Sequence, residues 1–159
     1  MIAPAPFPNP FGPRLLMVAN KLSNNVSVFS VAADGSLSPV PGSPFPAGTA
    51  PSSVTTETTT TPVSFAYVTN PASNEILGYS IDGTSGALAP LPDSPFPAGV
   101  GPLSAAISLE GYLLVTNNGS NNLSVYSVEG NTGALTPVSG SPFPVGQSPT
   151  AVLFFQVPQ

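Results

Sequence analysis

The sequence contains no cysteine, no histidine and no tryptophan. Without cysteine or histidine it has no thiolate nucleophile and no imidazole base, so the commonest acyl-transfer machinery is absent. The lack of cysteine fits either redox compartment and does not decide location. Charge is scarce too: 6% of residues are charged, the only basic ones are Arg14 and Lys21, and the net charge is −5. Two cations cannot form the clustered Lys/Arg footprint of a nucleic-acid binder, nor hold an anionic membrane surface. No apolar run approaches the roughly 18 residues of a transmembrane helix, so membrane insertion is not expected. Met1-Ile2-Ala3-Pro4 lacks the basic start and long apolar core of a signal peptide. Low charge combined with a mean hydropathy of +0.26 argues against disorder. The polar surface must then come from Ser, Thr and Asn, and a neutral Thr/Ser/Asn/Pro-rich surface suggests an extracellular or cell-surface setting.

What is abundant is proline (22) and glycine (15), and both recur in register. Ser-Pro-Phe-Pro occurs at Ser43–Pro46, Ser94–Pro97 and Ser141–Pro144, at intervals of 51 and 47 residues. MVAN ending at Asn20, YVTN at Tyr67–Asn70 and LVTN at Leu114–Asn117 follow intervals of 50 and 47. A fixed period near 50 is the signature of a repeat architecture and outranks any single-residue motif. Within each unit the apolar pattern alternates in runs of five to seven residues, as in Val26–Val31, with no helical period. Asp34-Gly35 and Asp82-Gly83 mark hairpin turns. Pro39 and its repeat equivalents confine the following strand to a sheet edge. The chain is therefore all-β, with four short antiparallel strands per unit, here termed a, b, c and d.

The units divide the chain into a Pro-rich extended arm (1–13) and a repeat domain (14–159). The repeats span about 14–50, 51–99 and 100–146, and an apolar strand is expected over 148–157. The order is b-c-d, a-b-c-d, a-b-c-d, then a, so one unit is divided between the two ends. The pattern YVTN, then SN-x-(V/L/I)-x-x-(Y/F), then G-(A/S)-L-x-P and SPFP-(A/V)-G resembles the YVTN-type β-propeller repeats of lactonase-like proteins over about Arg14–Val157. The resemblance implies four-stranded blades around an axis. The lactonase-like enzymes have about seven blades and this chain has three, whereas propellers close with roughly 4–8. Three units of four strands also suit a β-trefoil, the alternative fold.

Site residues follow from that frame. The apolar residues Val152, Leu153, Phe154 and Phe155 are expected to form an assembly strand with the edge carrying Leu15, Leu16 and Val18, since an unpaired apolar edge is a template for another chain. Phe45, Phe96 and Phe143, each held between two prolines, are expected as plugs between blades. Phe29, Tyr79 and Tyr126 occupy one repeat position, which suits packing better than a sugar pocket. Asn25, Asn118 and Asn122 head glycosylation sequons. Asp34, Asp82 and Glu129 share the c–d turn, and their spacing serves turn geometry rather than catalysis or metal binding. The lactonase-like enzymes' acid–base residues have no counterpart that can be matched here. No catalytic, metal or cofactor residue is expected. The reading is a non-enzymatic, extracellular protein that partners with itself through strand sharing, as a filament or a multi-chain propeller. The alternatives are a lectin-like module with carbohydrate as partner and a lactonase-like hydrolase fragment.

Overall fold

The structure, a computed structural model, describes residues 13–57 and 63–157. The Pro-rich arm, except Pro13, lies outside the described residues. Among the described residues, fourteen strands build three separate antiparallel sheets. The first comprises β1 (Leu15–Asn20), β2 (Asn25–Val31), β3 (Leu37–Pro39) and β4 (Phe45–Pro46). The second comprises β5 (Ser53–Glu57), β6 (Ser64–Asn70), β7 (Glu75–Ile81), β8 (Leu88–Pro90) and β9 (Phe96–Pro97). The third comprises β10 (Pro102–Ile107), β11 (Tyr112–Asn117), β12 (Asn122–Val128), β13 (Leu135–Pro137) and β14 (Phe143–Pro144). Each sheet is a propeller blade. In the second and third, a, b, c and d follow one another across the sheet. The first blade begins at strand b. Three discrete sheets exclude the trefoil.

The cores lie between blades. Val26, Val28, Val40 and Ala47 of the first blade meet Ala66, Val68, Tyr79 and Ile81 of the second. On the second blade's other face, Phe65, Tyr67, Ile76, Leu91 and Phe96 meet Leu113, Val115 and Tyr126 of the third. The alternation in the sequence explains this division. Ala66 and Val68 point one way along β6, while Phe65 and Tyr67 point the other. A blade is thus apolar on both faces, and Thr69, Asn70 and Asn117 are carried into the interior with it.

Two features differ from the sequence expectation. The Ser-Pro-Phe-Pro segments, expected only to carry plugs between blades, also pair as strands. The fourth strand leaves the sheet and returns as a two-residue strand, pairing Phe45 with Val26, Phe96 with Ile76 and Phe143 with Leu123. Its serine bridges the gap: the N–H groups of Val28, Gly78 and Val125 donate to the Oγ of Ser43, Ser94 and Ser141 at 2.9, 3.0 and 2.9 Å. These serines precede cis prolines in all three units. The second difference is the terminal segment, where 148–157 is not a strand. A strand is a ladder of hydrogen bonds, and this segment has no paired neighbour among the described residues. It is nonetheless seated like one. The N–H of Ala105 donates to Ser53 Oγ, and one repeat later the N–H of Val152 donates to Ser104 Oγ.

The joints between blades repeat in several of their contacts. Tyr79 and Tyr126 donate their hydroxyls to the carbonyls of Pro46 and Pro97 in the preceding blade, at 2.6 and 2.9 Å. Burial suppresses ionisation of both phenols, holding Tyr79 up at about 12 and raising Tyr126, so they stay donors across the physiological range. Gly48 and Gly99 press on Asn70 and Asn117 of the following blade. Gly86 and Gly133, in the c–d turns, press back on Leu15 and Phe65.

Candidate functional site

The blades have two faces perpendicular to the strands. One carries the c–d turns and the connections from a to b. The other carries the b–c turns (21–24, 71–74, 118–121) and the connectors that lead into the a strands. On this second face the asparagines Asn24, Asn74 and Asn121 adopt a left-handed backbone, with φ of 56, 59 and 54°. Each side chain accepts an N–H from the connector, from Ala50, Gly101 and Ser148 at 2.9, 2.9 and 2.7 Å. Asn tolerates that conformation and ties turn to connector in one move. The rims of this face are therefore rigid.

Between the first and second blades this face opens into a cleft of about 440 Å³ lined by Ala19, Lys21, Ala50, Pro51, Ser52, Pro71, Ala72 and Leu103. Its volume falls in the range of small-molecule sites, roughly 300–1,000 Å³. The walls are small and apolar, and the prolines fix them. The polar groups are few. Lys21, exposed in the first b–c turn, brings an ammonium group. Ser52 is committed, its hydroxyl donating to the Leu103 carbonyl. The turn that forms one wall, Pro71-Ala72-Ser73-Asn74, runs into Glu75, the first residue of β7, which is not itself among the residues lining the cleft. One exposed cation and a small apolar hollow suit a compact, partly polar molecule.

Glu57 is the other notable acid, at the opposite end of β5 beside the a–b connection. It is 8% exposed, and its Oε2 has no hydrogen-bond partner among the described residues. Burial pushes its pKa up, and its charge in turn helps raise that of Tyr67. The Tyr67 hydroxyl donates to the Gly133 carbonyl at 2.7 Å, so this pair belongs to the joint between blades and not to the cleft.

The residues singled out from the sequence fall as follows. Phe96 is buried in the second inter-blade core, where Gly78 makes room for it, and Phe45 packs partly buried against the first. Phe143 is 40% exposed, with no following blade among the described residues to cover it. Leu15 packs inward, while Leu16 and Val18 are exposed at 41% and 42%. Leu153 and Phe155 are exposed, Val152 and Phe154 half-buried. Of the sequon asparagines, Asn25 Oδ1 accepts from Asn20 at 2.8 Å, Asn122 Oδ1 from Asn117 at 2.7 Å, and Asn118 Nδ2 donates to Pro149 O at 3.2 Å. Asp34 and Asp82 sit in their turns, each held below the usual carboxylate range first by the backbone N–H of Ser36 and Ser85 respectively, then by those serines' hydroxyls. No three acidic groups converge as a metal site among the described residues. Lys21, Glu75 and the cleft were not expected. The available signal was that the single lysine follows a repeat's VAN/VTN motif, in a turn where the other units carry Pro71 and Asn118.

Residues 13–154 match the family model of the lactonases with a seven-bladed β-propeller. The chain belongs to that lactonase family. Among solved structures, a candidate 6-phosphogluconolactonase from Bacteroides fragilis superposes with a TM-score of 0.76 at 21% identity, over 92% of this chain and 42% of that one. A periplasmic gluconolactonase from Pseudomonas aeruginosa gives 0.73 at 22% identity, over 97% and 45%. A protein from Lactobacillus plantarum gives 0.71 at 18% identity, over 92% and 46%. At these identities the likeness is one of fold. The chain spans less than half the length of these proteins. No curated protein matches the sequence significantly. Membership of the lactonase family overturns the expectation of a non-enzymatic structural or filament protein, and with it the lectin-like alternative. That expectation rested on the three repeats with one unit divided between the ends, and on the missing histidine and cysteine. Ring-ester hydrolysis by activated water needs neither, because a carboxylate and a cation are sufficient groups for it.

Proposed function

We propose that this chain is a lactone hydrolase, opening the ring ester of a sugar-acid lactone in the cleft between the first and second blades. The family match over 13–154 carries this reading. The cleft's location supports it, since the b–c turns and inner connectors give a rigid, concave face with an apolar floor. In the reaction a water attacks the carbonyl carbon and the ring C–O bond breaks. The ring oxygen leaves as a hydroxyl with a proton, and the carbonyl becomes a carboxylate. Lys21 is the group in the cleft able to stabilise the negative charge that develops on the carbonyl oxygen, or to hold an anionic substituent of the substrate. Glu75, half-buried at the end of the turn whose Pro71 and Ala72 line the cleft, is the carboxylate assigned to take the proton of the attacking water. An extracytoplasmic setting accords with the neutral Ser/Thr/Asn surface and with the periplasmic relative.

The test is the initial rate of glucono-δ-lactone opening at neutral pH, followed by acid release above the spontaneous rate. The purified chain is expected to exceed the background. Lys21→Ala and Glu75→Gln should each lower kcat/KM by about 10²–10³-fold, the usual cost of removing an electrostatic or proton-transfer group. No turnover above background, or full activity in both variants, would remove this reading.

A further inference from the structure

Two features among the described residues depart from the repeat, in which β5 and β10 form the inner strands of their blades. The first is the inner edge of β1, whose only ladder partner is β2. The second is the segment 151–157, seated along the axis but paired with no strand. We infer that these two features fit each other, the segment 151–155 of one copy adding to β1 of a second copy as the missing inner strand of its first blade.

The repeat supplies the register. In the second blade Ser53 faces Thr69, Val54 faces Val68, Thr55 faces Tyr67 and Thr56 faces Ala66. In the third, Ser104 faces Thr116 and Ala105 faces Val115. Carried forward by one repeat, Ala151 faces Ala19, Val152 faces Val18, Leu153 faces Met17, Phe154 faces Leu16 and Phe155 faces Leu15. Every pair is apolar, and no charge lies on either edge. The side-chain faces agree as well. Ala105 leans on the core between the second and third blades, and Val152, its equivalent, is half-buried on the same side. Leu153 and Phe155 point away, 86% and 73% exposed. In the proposed register they fall beside Met17 and Leu15, which already pack toward the second blade of their own copy. The pairing would therefore cover the two most exposed apolar side chains of this segment and extend an existing core, the usual outcome of strand addition to an open edge.

The joint that results repeats the internal ones with one departure. Asn20 stands where Asn70 and Asn117 stand, opposite Gly146, beside which there is open space. Phe29 stands where Tyr79 and Tyr126 stand, so the Pro144 carbonyl gains no phenol donor. The contact is thus weaker than an internal joint, which suits an interface that forms between chains. It also bears on the cleft. Ala19 lines it, and Ala151 of the second copy would lie directly across the ladder from Ala19, finishing the wall toward the axis. This consequence rests on the hydrolase reading; the pairing itself does not.

The chain has no cysteine, so a crosslink can be introduced cleanly. The double variant Ala19→Cys with Ala151→Cys places two thiols at directly opposed positions, where antiparallel Cα atoms lie about 4.5–5.5 Å apart, within disulfide reach. Under mild oxidation it should migrate as a disulfide-linked multimer on a non-reducing gel. Ala19→Cys with Phe155→Cys, out of register, should not. In parallel, light scattering on the unmodified chain should give a mass above 15.9 kDa that rises with concentration. Leu153→Asp with Phe155→Asp, both at exposed sites, should return it to 15.9 kDa with an unchanged circular dichroism spectrum. A crosslink confined to single chains would overturn the inference. So would a mass of 15.9 kDa at every concentration without crosslinking, which would mean that the Pro-rich arm or another segment covers β1. Neither readout depends on catalysis, so failure here is distinct from failure of the lactonase assay.

Discussion

Gly99→Ala tests whether the joints between blades hold the fold as described. A Cβ at residue 99 would lie 2.5 Å from Cγ, 2.6 Å from Nδ2 and 2.9 Å from Cβ of Asn117. Asn117 is fully buried and cannot swing into solvent. Its Nδ2 donates to Asn122 Oδ1 and Ser124 Oγ at 2.7 and 2.8 Å. The backbone of Gly99 is not left-handed, so conformational strain plays no part and the penalty is steric. Overpacking of this kind costs about 1–3 kcal/mol, and disturbing the two hydrogen bonds adds about 1 kcal/mol. The expected loss is about 2–4 kcal/mol, read as a lower urea midpoint at unchanged slope. In a chain of this size it lowers Tm by roughly 5–15 °C. The comparison is Gly146→Ala, the same repeat position in the third unit. No atom lies within 4 Å of that Cβ, so the monomeric chain should lose less than about 0.5 kcal/mol. Equal losses at the two positions, or none at Gly99, would refute the argument that inter-blade contact sets the cost.

Three further outcomes are expected. Tyr126→Phe should destabilise by about 1–2 kcal/mol in urea unfolding, because the Pro97 carbonyl loses its donor. Ser94→Ala leaves the Gly78 N–H without the acceptor at 3.0 Å and should cost about 1–2 kcal/mol; Ser94→Thr, which keeps the hydroxyl, should lose less. Glu57 titrates with a raised pKa in the folded chain, so the native state binds a proton more tightly than the unfolded state. Its contribution is favourable at low pH and is lost as pH rises from the ordinary Glu value of about 4.5 through the raised one. Glu57→Gln should therefore raise Tm at pH 7 and leave it nearly unchanged at pH 4, and the reverse order would sink the assignment of a buried, unpaired carboxyl.

The repeat, the blade order and most strand boundaries were legible in the sequence because period-2 alternation and in-register Pro, Gly and Asn are local signals. The alternating run Val26–Val31, for example, falls within β2 (Asn25–Val31). The return of the fourth strand at Phe45 and its equivalents was hidden, since Ser43 Oγ replaces a ladder carbonyl and nothing local announces it. The segment 148–157 carries strong strand propensity, yet propensity cannot provide the neighbour that makes a strand. The site was less legible than the fold. Lys21, Ser52, Pro71 and Leu103 lie in three different units and meet only when the blades stack. The missing histidine and cysteine pointed away from catalysis, whereas family membership points toward it.

Because Tyr, Pro, Gly and Asn meet in the same way at both described junctions, the second and third units carry interchangeable joints. Duplicating or deleting one stretch of about 50 residues alters the blade number without inventing a new contact surface. Genes of this kind can change length in whole steps, each product already carrying the surfaces it needs to join its neighbours.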